Sequence, residues 1–150
     1  MDWISKSFEE LDTEELYTII RTRIDVFVVE QHCPYPELDG HDYQAVHLFC
    51  KDGESIVAYA RLLPKGTVYE YASIGRVLVH KSYRGSGYAK QLLQKAISHI
   101  TEEWQETTIK IQGQEYLRHF YASFGFKEIS EVYLDDGIPH VDMLLTTIPQ

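Results

Sequence analysis

SIGRVLVHKSYRGSGYAKQLLQKAISHI, from Ser73 to Ile100, is the stretch whose reading decides the fold. Ile74, Val77, Leu78 and Val79 supply the β-rich positions, and Arg84, Gly85, Ser86 and Gly87 make a glycine-containing turn. From Ala89 onward the apolar residues are Ala89, Leu92, Leu93, Ala96, Ile97 and Ile100, the i, i+3, i+4, i+7 spacing of a helix buried along one stripe. Lys90, Gln91, Gln94, Lys95, Ser98 and His99 fall on the opposite face. The expected order is strand, tight turn, amphipathic helix.

That order suits a phosphate group. The first turn of a helix carries N–H groups without intrahelical partners, and the helix dipole adds partial positive charge there. Gly85 and Gly87 lack a Cβ, so an anion can come close to the backbone. Arg84 adds a planar fork of donors. The P-loop pattern GxxxxGK[ST] is absent, and the dinucleotide fingerprint GxGxxG fails at its third glycine, where Lys90 stands. That fingerprint also needs an acidic residue after the next strand, and the strand expected at Thr108–Ile111 runs out at Gln112.

The pattern that fits is [RQ]-x-x-G-x-[GA], met by Arg84, Gly87 and Ala89 after an apolar strand. It resembles the acetyl-CoA signature of the GNAT superfamily of N-acetyltransferases. A second motif, YASFGF at Tyr121–Phe126, resembles the Y-x-x-x-G-F found downstream of that signature in the superfamily. VFVVEQHCPYPELDG (Val26–Gly40), SIGRVLV (Ser73–Val79) and EVYLDDGIPHVDM (Glu131–Met143) are similar to the ElaA-like family of small GNAT proteins. The resemblance spans nearly the whole chain. It implies an α/β (α+β) GNAT fold: a central mixed, mostly antiparallel sheet of six to seven strands, flanked by helices. The strand before the phosphate turn would splay from the next one and leave room for a pantetheine arm.

At 150 residues the chain is expected to form a single domain, 1–150. Its composition, 44% hydrophobic and 25% charged, is that of an ordinary globular protein. No apolar run approaches the ~20 residues of a membrane span. Asp2, Glu9 and Glu10 rule out a positive signal-peptide n-region, which makes a cytoplasmic location the expectation. The net charge of −9 argues against nucleic acid and favours a cationic, amine-bearing partner. Cys33 and Cys50 lack metal-like spacing, so no metal is expected. Cys50 reads as a core residue, and Cys33, beside Pro34, as an exposed loop thiol.

Asp2–Phe8 reads as a short strand, and Asp12 or Thr13 as the cap of a helix that gives out near Glu30. Leu16, Ile19, Ile20, Ile24, Phe27 and Val28 are its expected buried stripe. His32–Tyr43 is a polar loop with an Asp39-Gly40 turn, followed by a hairpin of Val46–Lys51 and Ser55–Leu63 about Asp52-Gly53. Val68–Val79 carries one or two further strands and leads into the central turn and helix. Thr107–Ile111 is the next strand, Gln114–Phe124 a helix ended by Gly125, and Phe126–Leu134 and Val141–Thr147 the last strands.

Acetyl transfer from a thioester to an amine needs an anchored coenzyme, a neutral amine, a stabilised oxyanion and a proton for the departing thiolate. By the resemblance, Arg84, Gly85, Ser86, Gly87, Tyr88 and Ala89 hold the pyrophosphate of acetyl-CoA, the cosubstrate. The backbone of Val77, Leu78 and Val79 pairs with pantetheine, and an N–H near Val79 polarises the carbonyl. Tyr121 is the candidate general acid; packing beside Leu117 and Phe124 is its competing reading, and Tyr116 or Tyr133 could substitute. Glu30, His47, His140 and Asp142 are candidate bases, Glu30 and His140 foremost, with a water chain as the alternative. Arg76, within the central strand, is expected to pair with a carboxylate of the protein. The acceptor is a small-molecule or peptide amine, with no nucleic acid or membrane partner, and the protein a monomer or homodimer. Two rival readings are a non-catalytic acyl-CoA-binding module and a nucleotide-binding oxidoreductase domain.

Overall fold

The computed structural model describes residues 1–147. Its strands form one mixed sheet of eight, one or two more than expected, in the order β1-β2-β3-β4-β5-β8-β6, with β7 also on β8. β1 is Asp2–Ser7, β2 Val46–Asp52, β3 Ser55–Leu63 and β4 Ala72–Val79. β5 is Thr108–Gln114, β6 Lys127–Glu128, β7 Tyr133–Asp135 and β8 Ile138–Thr146. The helices are α1 (Thr13–Ile24), α2 (Tyr88–Ser98) and the short α3 (Arg118–Ala122). All pairings are antiparallel except β4 with β5. Among the described residues no helix is long and apolar enough to cross a membrane.

α1 starts where Asp12 caps it: the Asp12 carboxylate accepts the Glu15 N–H at 2.7 Å, and Glu15 accepts the Asp12 N–H at 3.0 Å. Beyond Ile24 the chain keeps winding to Glu30 in the wider i+5 pattern of a π-helix. The β-branched VFVV segment thus stays helical, and the Cys33 N–H closes it on the Val28 carbonyl at 3.0 Å. Of the expected stripe Ile19 and Phe27 are buried and Leu16, Ile20, Ile24 and Val28 only partly so, while Thr22, Arg23 and Val26 complete the buried face. An arginine sits at its centre, which hydrophobic periodicity cannot select. On α2 the expected stripe holds: Leu92, Leu93 and Ala96 are fully buried, as is Ile100 just beyond. Truncating either leucine to alanine would cost ~2–5 kcal/mol.

α2 and α3 cover one face of the sheet, and α1 covers β2–β4 on the other. Several expected boundaries change: β4 begins at Ala72 rather than Val68, and β8 at Ile138 rather than Val141. β5 continues through Gln112 to Gln114. The segment expected as one helix from Gln114 is a 3₁₀ turn, Glu115–Leu117, followed by α3. The long strand expected at Phe126–Leu134 splits into β6 and β7. At the split, the Ser130 hydroxyl accepts the Asp142 N–H at 2.9 Å, and a side chain takes a ladder position from the backbone.

Candidate active site

The site begins at a bulge. β3 and β4 pair as Tyr59↔Leu78 and then as Arg61↔Gly75, so Arg76 and Val77 together face one residue of β3. Arg76 takes the left-handed conformation, φ 51°, uncommon for a residue with a side chain. The bulge bends β4, whose parallel ladder with β5 covers only Ala72↔Ile109 and Ser73↔Lys110. Past that point the strands part. The His80 N–H bonds the Val57 carbonyl of β3 at 2.8 Å, so by the alternation of a strand Val79 turns its N–H and C=O into the crevice.

At the mouth of the crevice, Gly85 and Gly87 have φ of 84° and 85°, and Gly87 is the N-cap of α2. A Cβ built on either glycine meets nothing within 4 Å. The glycines serve backbone conformation here and leave open space over the helix N-terminus, which fits an anion cradle. Arg84 projects from this turn. Its Nε donates to the Val79 carbonyl at 2.8 Å, and its guanidinium meets Glu30 at 2.8 Å. Glu30, expected as a base, is thus the partner of the expected phosphate anchor.

Tyr121 lies on the α2–α3 side, 5% exposed, its ring against Gly113 in the part of β5 that has left β4. Burial raises its pKa, so the phenol stays protonated through the neutral range. Its hydroxyl makes no hydrogen bond among the described residues.

The opposite face of β5, β7 and β8 is polar. Val141, Met143 and Leu145 point into the α2–α3 core, so His140 and Asp142 alternate to the α1 side. There the Tyr133 hydroxyl donates to Asp142, Gln112 Nε2 donates to Asp135 at 3.1 Å, and Lys110 Nζ lies 3.6 Å from Asp142. His140 stacks on Tyr133, and its Nδ1 is 2.7 Å from the Ile138 carbonyl. A carbonyl only accepts, so Nδ1 carries hydrogen and the neutral ring holds its lone pair on Nε2.

His47 does not belong to this constellation. It is fully buried, with Nδ1 2.6 Å from the Tyr59 hydroxyl and Nε2 3.0 Å from the Asp42 carbonyl. Both nitrogens are engaged, and burial lowers its pKa. Cys33 is also buried rather than exposed, at 8%, with its thiol 3.5 Å from the Asp136 carbonyl.

What draws that loop down is a network of Arg23, Arg61 and Arg76 with Glu37, Asp39 and Asp42. Of its six members the sequence singled out Arg76 alone, and its ion pairing to the protein is observed. Arg23 Nε meets Glu37 at 2.7 Å, and Nη1 meets Asp42 at 2.7 Å. Arg61 holds both oxygens of Asp39 at 2.8 Å. Arg76 Nε meets Glu37 at 2.8 Å. Burial raises the Asp39 and Asp42 pKa values, but the arginine hydrogen bonds and charges outweigh it, lowering Asp42 and holding Asp39 well below the usual range. The available signal was arginines at positions that patterning puts inside, matched by acidic residues in one loop.

A family model described as an acetyltransferase (GNAT) domain matches residues 13–147. The chain belongs to the GNAT acetyltransferase family. Within it the chain is ElaA-like: protein ElaA of Escherichia coli is 38% identical over 145 residues, 95% of each chain. A UPF0039 protein of Schizosaccharomyces pombe is 42% identical over 147 residues, 97% of each. The crystal structure of E. coli ElaA superposes with a TM-score of 0.89 at 36% identity, covering 97% of this chain and 99% of that one. An acyl-CoA N-acyltransferase from Pseudomonas aeruginosa superposes with a TM-score of 0.92 at 37% identity and the same coverage. The mixed sheet and the parting of β4 from β5 are thus the GNAT fold in this chain.

Proposed function

We propose that this protein transfers an acetyl group from acetyl-CoA directly to a primary amine of a small molecule or peptide. One observation carries the reading: β4 and β5 part beside a glycine turn that opens onto a helix N-terminus, leaving the Val79 N–H without a partner strand and the Val79 carbonyl held only by the Arg84 side chain. The acyl-CoA named for the Pseudomonas relative supports the choice of donor. In this reading Val77, Leu78 and Val79 pair with the pantetheine arm. Gly85, Ser86, Gly87, Tyr88 and Ala89 cradle the pyrophosphate with backbone N–H groups, aided by Arg84 once it turns from Glu30.

Acetyl-CoA, when bound, supplies the acetyl group as a thioester. The Val79 N–H donates to the carbonyl oxygen as charge builds there. The acceptor amine approaches over the polar face, where Asp135 and Asp142 favour a cation, and His140 Nε2 or a water it holds takes the amine's proton. The amine nitrogen bonds to the acetyl carbon, the carbon–sulfur bond breaks, and Tyr121 gives its proton to the leaving sulfur. Both free thiols are buried and unpaired, which agrees with a reducing, cytoplasmic setting.

Calorimetric titration with acetyl-CoA, with NAD as control, tests the donor. A panel of primary amines followed by release of free CoA tests transfer. Acetyl-CoA binding with acetylation of at least one amine is expected. Binding without transfer across the panel would leave a non-catalytic acyl-CoA module, and binding of NAD alone would overturn the reading.

A further inference from the structure

We infer that the loop from Tyr35 to Asp42 is a clamp that holds the β4 bulge open, with the buried Glu37 its hub and Arg76 the residue it grips. The inference rests on the proposed coenzyme role of the crevice and adds positioning residues to it.

The argument starts from the backbone. A residue with a Cβ resists the left-handed region, so Arg76 at φ 51° needs something to keep it there. The structure provides it on the side chain. Arg76 Nε donates to Glu37 Oε2 at 2.8 Å, and Nη2 donates to the Glu37 carbonyl at 3.2 Å and to Asp39 Oδ2 at 3.3 Å. Those acceptors are themselves fixed. Glu37 Oε2 also accepts from Arg23, a residue of α1 that is 1% exposed, and Glu37 Oε1 accepts from the Tyr35 hydroxyl. Asp39 is forked by Arg61 of β3, which is 4% exposed. The clamp therefore runs from α1 and β3, through the loop, to the bulge residue of β4 that takes the left-handed conformation. Without the bulge β4 would keep its register with β3, and its path away from β5 would close.

The discriminating pair is Arg76→Ala and Arg76→Gly. Both remove the guanidinium and leave Glu37 on Arg23 and Asp39 on Arg61. Alanine resists the bulge conformation and glycine adopts it freely, a difference of roughly 5- to 30-fold in how often the bulge forms. Dissociation constants for acetyl-CoA, measured by calorimetry, are expected to rise about tenfold in Arg76→Ala and to stay within about threefold of wild type in Arg76→Gly. A guanidinium that touches coenzyme or acceptor itself would weaken both variants alike. A role in stability alone would lower both melting temperatures and leave both dissociation constants unchanged. Either result overturns the clamp. Should wild type bind no acetyl-CoA, the coenzyme reading falls by itself. Amide exchange then decides the clamp: faster exchange at Leu78 and His80 in the alanine variant than in the glycine variant supports it, and equal exchange refutes it.

Discussion

Replacing Tyr121 with phenylalanine separates chemistry from packing. The ring is 5% exposed and lies among Phe120, Phe126 and Gly113, with ring centroids 5.5 Å from Phe120 and 6.2 Å from Phe126. Tyr121→Phe keeps all of those contacts. The hydroxyl it removes has no hydrogen-bond partner among the described residues, so no buried group is left orphaned. Stability should therefore change by less than ~0.5 kcal/mol. For a chain of this size that is a shift in Tm of under about 2 °C. If the phenol delivers the proton to the leaving sulfur, kcat should fall ~10²-fold or more. That corresponds to about 2.7 kcal/mol of barrier, while the KM for acetyl-CoA should stay near wild type. Burial keeps the phenol protonated, so it should impose no alkaline limb on kcat below about pH 10. Thiol-reactive detection of released CoA measures kcat, and a circular-dichroism melt measures Tm. A kcat within threefold of wild type, at unchanged Tm, would return Tyr121 to a packing role.

Gly113→Ala approaches the same group from the strand side: its Cβ would lie 3.0 Å from Tyr121 Cε2. The ring must shift, so kcat should drop more than the acetyl-CoA KM rises, and equal kcat values would place the catalytic proton elsewhere. Arg84→Ala should raise the KM for acetyl-CoA several-fold with kcat little changed, and an unaltered KM would refute the pyrophosphate role. Acid should weaken the fold through Asp39 and Asp42, whose folded pKa values are depressed. The unfolded chain takes up these protons near pH ~4 while the folded one does not, so their stabilisation is full above that pH and lost as pH falls. Urea midpoints measured between pH 6 and pH 3 should decline, more steeply in wild type than in Asp39→Asn; parallel slopes would remove Asp39 from the clamp.

The strand, turn and helix of the proposed coenzyme half were legible because they are local. The strand of Val77–Val79, the turn Arg84–Gly87 and the helix after it are consecutive. Glycine conformation, helix periodicity and a helix N-terminus can all be read within one short window. α2 accordingly buries Leu92, Leu93 and Ala96 as its spacing dictates. Tyr121 was legible as a position in a motif, but its placement against Gly113 depends on how α3 returns over β5. The polar face that joins Gln112, Tyr133, Asp135, His140 and Asp142 needed the β5–β8 and β7–β8 registers. Those registers come from strand pairing across a long stretch of chain, which a window cannot contain.

By itself the sequence determined the order of elements as far as α3, the buried side of α2 and the open glycine turn, all set by backbone preference and by the 3.6-residue period of a helix. Tertiary structure alone decided that Arg23 is buried, that Glu30 faces Arg84, that His47 is locked between Tyr59 and Asp42, and that Glu37 reaches Arg76. Each of these rests on a charged or hydrogen-bonding group meeting its partner across the fold. A buried charge is tolerated only when paired, and the pairing joins residues that no local pattern relates.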